Sequence, residues 1–261
     1  MEPLPLLVWR DLGNHQSADY VPFSDLHIGD KLFDRKKFES YRDWVLAAPN
    51  RFCGLNGDTF NAGIPGSKSC RSSEDLNMDQ QMDLGIELLR PLVDADRLLF
   101  INDGNHEDRV LRATGGIRPG KTLAQALGKP KLFTGDGVLL KLLVGSGRNG
   151  ARVCYSIYHA HGWAAGRTPG AAINACRELQ HTIRADCYVV GHSHKSIATP
   201  ADYIVPDLTH NRIRYCKVMF VCTGSFLHWG GYAQAKGYSP SALGCPRIRL
   251  DGTRHDLHAS V

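Results

Sequence analysis

The stretch LLFINDGNHE, at residues 98–107, joins an apolar run to a cluster of polar side chains. The four apolar residues at 98–101 are typical of a buried β-strand, and the turn-forming residues that follow them end it. Asn105 and His106 come next, and their side chains carry groups that bind metal ions or substrates. The sequence therefore predicts a strand that presents functional residues at its carboxyl end.

The same arrangement recurs along the chain. Predicted strands at 20–23, 52–55, 153–158 and 187–190 are each followed closely by Asp or His. The side chains in question are Asp25 with His27, Asp58, His159 with His161, and His192 with His194. In open α/β sheets, ligands bind outside the carboxyl ends of the strands, so we expect all five segments to meet at one site.

Helical periodicity separates many of these strands. Apolar residues at three- and four-residue spacings predict helices at 34–48, 77–93, 121–127 and 171–181. Residues 138–144 and 153–158 predict a hairpin, and further strands are predicted at 203–205, 212–222 and 247–250. The first half thus alternates strand and helix, while the second half is rich in strands. With no internal repeat or clear linker, the pattern favours one α/β domain, residues 1–261, with two sheets.

The composition is that of an ordinary globular protein, with 43% hydrophobic and 22% charged residues in 261. The net charge of +5 suits a phosphate-bearing substrate, but it is also common in proteins without one. Eight cysteines include no C-x-x-C pair, which argues against a zinc ribbon and fits reduced thiols. The chain start lacks a signal-peptide pattern and no apolar run has membrane-spanning length, so we expect a cytoplasmic protein with no membrane partner.

The individual segments differ in how specific they are. Ser-Asp and Gly-Asp after a strand are common turns or helix caps, so Asp25 and Asp58 alone are weak signals. The run Gly-His-Ser-His at 191–194 is stronger. Residues i and i+2 of an extended segment share a face, so both of its imidazoles can reach one site.

Taken in order, the segments read D-x-H at 25–27, G-D-x-x-N at 57–61, G-N-H-E at 104–107, H-G at 161–162 and G-H-x-H at 191–194. This series resembles the motifs of the calcineurin-like metallophosphoesterase superfamily. The stretches SDLHIGD at 24–30, HGWAAGRT at 161–168 and TGSFL at 223–227 further resemble phage- and prophage-type members. The resemblance implies a four-layer α/β/β/α sandwich, in which two central mixed sheets are flanked by helices.

The resemblance also implies a site with two divalent metal ions. One ion would be held by Asp25, His27, Asp58 and His194, and the other by Asp58, Asn105, His161 and His192. Asp58 would bridge the two ions. His106 would not be a ligand but would stand over the substrate as a general acid or transition-state stabiliser.

This arrangement implies a phosphodiesterase or phosphatase that uses a metal-bridging hydroxide as its nucleophile, because metal ions make bound water acidic. Mixed nitrogen and oxygen ligands suit manganese, iron or zinc without selecting among them. Manganese is our first expectation, with iron, zinc or nickel as alternatives. The partner is a phosphoester substrate, with nucleotides and nucleic acids among the candidates. The sequence leaves the substrate, the native metal and the oligomeric state open.

Several nearby residues have open roles. Asn61 stands where many members of the superfamily have Asp, and we expect it to support the metal ligands. Asp103 either orients His106 or a ligand, or is a solvated turn residue. The H-G motif selects His161 as the ligand, which leaves His159 a supporting or structural residue. We expect Glu107 to cap the following helix, and Arg109 and Arg167 to lie at the surface, with contact to substrate phosphate as the alternative.

Three other functions remain in competition. A DNA exo- or endonuclease of the same superfamily is the second choice, since such nucleases usually add a DNA-binding segment that is not visible here. A non-catalytic metal-binding scaffold is disfavoured, because such proteins lose ligands and this chain has a suitable residue at every expected position. A zinc-dependent hydrolase of another bond, such as an amide, is disfavoured by the order of the motifs.

Overall fold

A computed structural model describes residues 6–64, 74–147, 150–163, 166, 168–235 and 237–261. Two six-stranded mixed sheets lie at its centre. In spatial order, sheet A consists of β1 (Leu6–Asp11), β6 (Gly137–Val144), β7 (Val153–Ala160), β8 (Cys187–Val190), β10 (Arg212–Cys222) and β9 (Ile197–Asp207). Sheet B consists of β12 (Leu257–Ser260), β11 (Arg247–Asp251), β2 (Ser17–Phe23), β3 (Arg51–Asn56), β4 (Leu98–Asn102) and β5 (Phe133–Gly135).

The strand directions place one parallel block in each sheet. Strands β2, β3, β4 and β5 run parallel in sheet B, as do β7, β8 and β10 in sheet A. Antiparallel strands extend both sheets: β11 and β12 in sheet B, and β6 and β9 in sheet A. Strand β1 then pairs in parallel with β6 at the far edge of sheet A. The parallel blocks direct the carboxyl ends of five strands towards one site.

The helices in chain order are α1 (Arg35–Leu46), α2 (Met78–Asp94), α3 (Asn105–Thr114), α4 (Pro119–Ala126), α5 (Pro169–Glu178) and the short α6 (Gly231–Ala235). Their starts follow from local sequence. The Asp34 side chain accepts a hydrogen bond from the Lys37 N–H, and Asn77 forms a capping box with Gln80. Thr168 caps α5, whose first residue is Pro169.

Three hydrophobic clusters separate four layers. The cluster between the sheets includes Phe52 and Phe100 from sheet B and Ile157 and Val221 from sheet A. A second cluster packs α1, α2 and α4 against the outer face of sheet B, and a third packs α5 against the outer face of sheet A. The fold is therefore α/β, with two central mixed sheets flanked by helices, as expected.

The structure also corrects the sequence-based expectations for several elements. Strands β1, β5 and β12 were not predicted, and β9 extends well beyond the expected residues 203–205. Strand β5 has only three residues, and β1 lies at a sheet edge where Leu7 and Trp9 are exposed. Such segments lack the buried alternation that identifies a strand in sequence.

Two further findings concern the chain as a whole. Among the described helices, none combines the length and apolar character that crossing a membrane requires. The seven described cysteines are free thiols, and five of them are buried. Cys70 lies outside the described residues.

Candidate metal centre

Five strand ends from both sheets meet at one place. Strands β2, β3 and β4 end just before Asp25, Asp58 and Asn105, while β7 and β8 end just before His161 and His192. The first motif lies directly against the second, because the backbone N–H groups of Asp25 and His27 donate to the carbonyl groups of residues 57 and 58. The structure therefore brings together all seven predicted ligands.

The backbone at this site is unusual. Five of the seven predicted ligands have a positive φ angle, namely Asp25 (53°), His27 (51°), Asp58 (49°), His192 (65°) and His194 (54°). The left-handed region is disfavoured for residues with a side chain, and occupying it costs on the order of 1 kcal/mol per residue. Strain of this kind, concentrated at strand ends, is typical of functional sites.

Three side chains surround one candidate metal position. The Nε2 atom of His194 lies 3.1 Å from Oδ1 of Asp25 and 3.2 Å from Nε2 of His27. His27 Nε2 lies 3.8 Å from the same Asp25 oxygen. The three ligand atoms lie within 4.8 Å of one another, so Asp25, His27 and His194 form a group with the spacing of metal ligands.

A second group surrounds Asp58. The Oδ2 atom of Asp58 lies 3.1 Å from Nε2 of His161, and His192 belongs to the same group. The Asn105 amide oxygen lies 2.7 Å from Nδ1 of His192 and 3.1 Å from Nε2 of His161. On its other side, Asp58 Oδ2 lies 3.9 Å from His27 Nε2. Asp58 thus lies between the two candidate metal positions.

The charges of these groups fit divalent cations. Burial alone would raise the pKa values of Asp25 and Asp58, but the neighbouring imidazoles hold the pKa of each carboxyl below its ordinary value. Burial lowers the pKa of His161, but the Asp58 carboxylate outweighs this effect and raises it to about 10. Two buried carboxylates and converging imidazole nitrogens form a donor set suited to metals such as Mn, Fe or Zn.

His106 lies beside the two groups with a defined orientation. Its Nδ1 atom lies 2.7 Å from the Asn61 carbonyl oxygen, which can only accept, so Nδ1 carries the proton. Its Nε2 atom lies 3.8 Å from Oδ2 of Asp58. Burial lowers the pKa of His106 to about 3, so the ring is neutral at pH 7. With His27 and Asp58 it also has ligand spacing, so the geometry leaves its predicted non-ligand role untested.

Glu107 does more than cap α3. Its Oε2 atom accepts hydrogen bonds from the N–H groups of Gly104 (2.8 Å) and Asp58 (3.0 Å), and Oε1 accepts one from Phe60 N–H (2.9 Å). Burial and the Asp58 and Asp103 charges raise the pKa of Glu107, while the hydrogen bonds from the Phe60 and Gly104 N–H groups lower it and favour the carboxylate. The G-N-H-E motif drew attention to Glu107, but the sequence could not predict its hydrogen bonds with residues 58 and 60.

Asn56 was missed as a supporting residue. Its backbone oxygen lies 2.8 Å from Nδ1 of His161, which leaves Nε2 of that ring directed at Asp58. The Asn56 side chain donates to the Ala160 carbonyl group and accepts from the Asn102 amide. A buried Asn at the end of an apolar strand was the available signal. Asn61 contacts His106 through its backbone oxygen, while its side chain donates to Glu74, so support of the metal ligands by that side chain stays a prediction.

The structure assigns Asp103 a different role from both of those expected. Its carboxylate is buried and accepts hydrogen bonds from Arg118 Nε and Gly120 N–H, both at 2.9 Å. The solvated-turn interpretation is therefore wrong, and these contacts join β4 to the start of α4 instead of orienting His106.

His159 is a core residue, in agreement with its structural alternative. Its Nε2 atom lies 3.0 Å from the Tyr20 hydroxyl, and its ring packs against Phe100 between the sheets. Burial lowers its pKa to about 3. The predicted ligand His161 follows the end of β7, so the two rings occupy different environments although they are two residues apart.

Of the two arginines that were expected at the surface, Arg109 is described by the structure and Arg167 is not. Arg109 is only partly exposed, and burial lowers its pKa while the carboxylates of Asp58, Glu107 and Glu74 oppose the change. Arg109 therefore reaches the surface, and its contact with substrate phosphate stays a prediction. Arg167 lies outside the described residues.

Comparisons with known proteins gave structural neighbours only. No protein-family model and no curated protein matches the chain. It is similar to a conserved uncharacterized protein, a predicted phosphoesterase, from Streptococcus pneumoniae TIGR4, at 13% identity and a TM-score of 0.40, covering 93% of this chain and 88% of that one. It is also similar to the phosphoesterase Yfce from E. coli, at 14% identity and a TM-score of 0.43, covering 93% of this chain and 98% of that one. A third neighbour is the calcineurin-like phosphoesterase YfkN from Bacillus subtilis, at 11% identity and a TM-score of 0.42, covering 94% of this chain and 90% of that one.

Proposed function

We propose that this chain is a metal-dependent phosphoester hydrolase whose site holds two divalent cations, with manganese as the first candidate. The observation that carries the proposal is the position of Asp58, whose Oδ2 atom lies 3.9 Å from His27 and 3.1 Å from His161. Asp58 belongs to the group with His161 and His192 and lies beside His27 of the other group, so its carboxylate can reach both cations. A carboxylate shared in this way is typical of two-metal hydrolases.

The residues of the site would bind the two cations as follows. Asp25, His27 and His194 would hold one cation, and Asn105, His161 and His192 the other, with Asp58 between them. When bound, the cations would supply a nucleophile at neutral pH and positive charge for the phosphoryl oxygens. The backbone carbonyl of Asn56 would orient His161, and Glu107 would hold Asp58 in place.

His106 would act on the substrate through Nε2. Because Nδ1 donates to the Asn61 carbonyl group, Nε2 is the nitrogen left to face the site. The pKa of His106 is lowered to about 3, so the ring is neutral before substrate binds. The negative charge of a bound phosphoester would raise this pKa, so that Nε2 could take up a proton from solvent. The ring would then donate that proton to the leaving oxygen, which is general acid catalysis.

The test is hydrolysis of bis-p-nitrophenyl phosphate by the purified chain, before and after removal of metal with a chelator. We expect the chelator to abolish activity and Mn²⁺ to restore it. A panel of mononucleotides, cyclic nucleotides and single- and double-stranded DNA would then separate phosphatase, phosphodiesterase and nuclease. A chain that binds no divalent cation by calorimetry would overturn the proposal, whereas one that binds cations but hydrolyses no substrate would be a metal-binding scaffold.

A further inference from the structure

The hairpin formed by β9 and β10 carries a concentrated apolar surface far from the metal centre. Its outer half exposes Ile204 (65%), Ile213 (66%), Tyr215 (78%) and, at the turn, Leu208 (84%). These are four of the ten large hydrophobic side chains that are exposed in the described residues. Contiguous apolar surface of this kind marks an interaction site more often than it occurs by chance.

Three of these side chains lie on one face of the hairpin. Ile204 is paired with Tyr215 and Pro206 with Ile213, in a register without shifts. Directly opposed residues of antiparallel strands project to the same side. We call the surface formed by Ile204, Pro206, Ile213 and Tyr215 the hairpin face.

The hairpin face continues the surface that is buried between the two sheets. Along β10, Met219 and Val221 alternate in step with Ile213 and Tyr215, and both belong to the cluster between the sheets. Sheet B ends beside the hairpin at its edge strand β12, where Lys217 pairs with Asp256. Beyond that point, the face lacks a covering layer among the described residues.

We propose that a second copy of this chain covers the hairpin face, so that two hairpins pack face to face about a two-fold axis. Each copy then supplies the apolar layer that the other lacks. The charged residues that flank the face, Asp202 and Lys217, are directly opposed and of opposite sign. The hairpin face itself contains no charged side chain, and the charges beside it, those of Asp202, Lys217 and Asp256, are of both signs. Two copies therefore do not strongly repel each other there, although the chain carries +5. A strongly acidic or basic partner would find no complementary charge.

Contact through the face is favoured over contact through the strand edge. Strand β9 is the edge of sheet A, but Pro200 and Pro206 have no N–H groups to offer an added strand. Main-chain pairing between two β9 strands would therefore be interrupted twice. Packing of the apolar faces requires no edge hydrogen bonds, and sheets commonly stack in this way.

The exposed area suits a reversible dimer. At on the order of 150 Å² for a side chain of this size, the four exposed residues would bury roughly 500 Å² per copy, or roughly 1,000 Å² in total. This lies near the lower limit for specific interfaces, so we expect a dissociation constant in the micromolar range. Association of this strength depends on concentration and is measurable by sedimentation.

The metal centre stays open in such a dimer. Strand β10 runs parallel to β8, so its carboxyl end at Cys222 lies near His192 and its amino end at Arg212 points away. Eleven strand residues span about 35 Å. Loss of the dimer should therefore leave metal binding unchanged, and this inference can fail or hold independently of the proposed function.

The experiment is sedimentation equilibrium of the full chain across a hundredfold concentration range. The test variant is Ile204→Thr/Tyr215→Thr, because Thr removes apolar surface but retains strand propensity. The matched control is Ile117→Thr, which alters an exposed apolar side chain outside the hairpin. We expect a wild-type dimer, an unchanged control, and a dissociation constant at least tenfold higher for the double variant.

Thermal unfolding of all the proteins separates loss of association from loss of folding, and the single variant Ile213→Thr on the hairpin face provides a second, structurally milder test. A wild type that is monomeric throughout the range would overturn the proposal. So would a dimer that neither the double variant nor Ile213→Thr weakens.

Discussion

The carboxylate of Glu107 accepts a hydrogen bond from the backbone N–H of Asp58 at 3.0 Å, across the gap between two strand ends. The same oxygen accepts the N–H of Gly104, at the start of α3. One buried side chain thus joins the residue that lies between the two candidate metal positions to the loop that carries Asn105 and His106. The geometry of the site depends on this contact as well as on the ligands.

Replacing Glu107 with Gln should destabilise the chain and weaken metal binding together. An amide places an NH₂ group against at least one of the N–H donors that the carboxylate now satisfies, which costs about 1–3 kcal/mol. Chemical denaturation would measure the loss of stability, and calorimetry with Mn²⁺ would measure the loss of affinity. Glu87→Gln is the matched control on an exposed helical position. Full metal affinity in a destabilised Glu107 variant would contradict a link between Glu107 and the metal centre.

Asp58→Asn should reduce the affinity for both cations, because Asp58 belongs to the group with His161 and His192 and lies 3.9 Å from His27 of the other group. The substitution preserves shape but removes the negative charge that lies near three imidazoles. Metal content after dialysis and titration calorimetry would measure the effect, with exposed Asp94→Asn as the control. If only one cation were lost and the other retained full affinity, Asp58 would not be a shared ligand.

His106→Ala should retain the metals but slow turnover, mostly for substrates with poor leaving groups. Positioned proton donors contribute about 10²–10⁴ in rate, and good leaving groups need little of that help. Comparing kcat for p-nitrophenyl and alkyl phosphoesters would reveal the difference, with surface His210→Ala as the control. An equal fall in kcat for every substrate would refute a role as general acid.

Metal binding should release protons and strengthen as the pH rises. The Asp58 carboxylate raises the pKa of His161 to about 10, so this ring is protonated at pH 7 when no metal is bound. A cation requires the neutral ring and therefore displaces about one proton from it. Calorimetry at pH 7 in buffers of different ionisation enthalpy would detect the release.

The same pKa shift predicts how the stability of the metal-free chain depends on pH. Because the pKa of His161 is higher in the folded state, its ion pair with Asp58 stabilises the fold fully below the ordinary His pKa and loses its effect as the pH rises towards 10. Metal affinity that is independent of pH between 6 and 9 would contradict both expectations.

Asp103→Ala should destabilise the fold without removing a metal. The substitution leaves Arg118 and the Gly120 N–H without a buried partner, at a cost of about 2–3 kcal/mol. Asp136→Ala removes the exposed partner of the same arginine and should cost less than about 1 kcal/mol. Thermal unfolding and metal content would be measured for both variants. Loss of metal in the Asp103 variant would restore the interpretation that Asp103 orients a ligand.

Sequence patterns were sufficient for the parts of the fold with strong periodicity. Apolar runs followed by Asp, Asn or His correctly located β2, β3, β4, β7 and β8, and apolar residues at helical spacing located α1 and α2. Strands β1, β5 and β12 were not predicted, because each is short or lies at the edge of a sheet, and the partners of β1 and β5 are distant in sequence. Register and strand order depend on those distant pairings, which periodicity does not encode.

The predicted ligands meet in space, but the residues that support them could not be identified from sequence. Glu107 contacts residue 58 and Asn56 contacts His161, across 49 and 105 positions of the chain. Asp103 was ambiguous for a related reason: its partner, Arg118, is 15 residues away in a segment without a motif. Long-range hydrogen bonds of this kind become visible only when the strand ends are placed side by side.

The left-handed backbone of five predicted ligands limits what natural variation or protein engineering can place there. Asn, Asp, His and Gly tolerate this conformation, whereas Val, Ile and Thr do not. A residue exchanged here to change the preferred metal must therefore first adopt the left-handed backbone conformation, and only then can its side chain coordinate the metal. An attempt to introduce Cys or Glu at Asp25 or His194 must overcome a conformational penalty that a strand or helix would not impose.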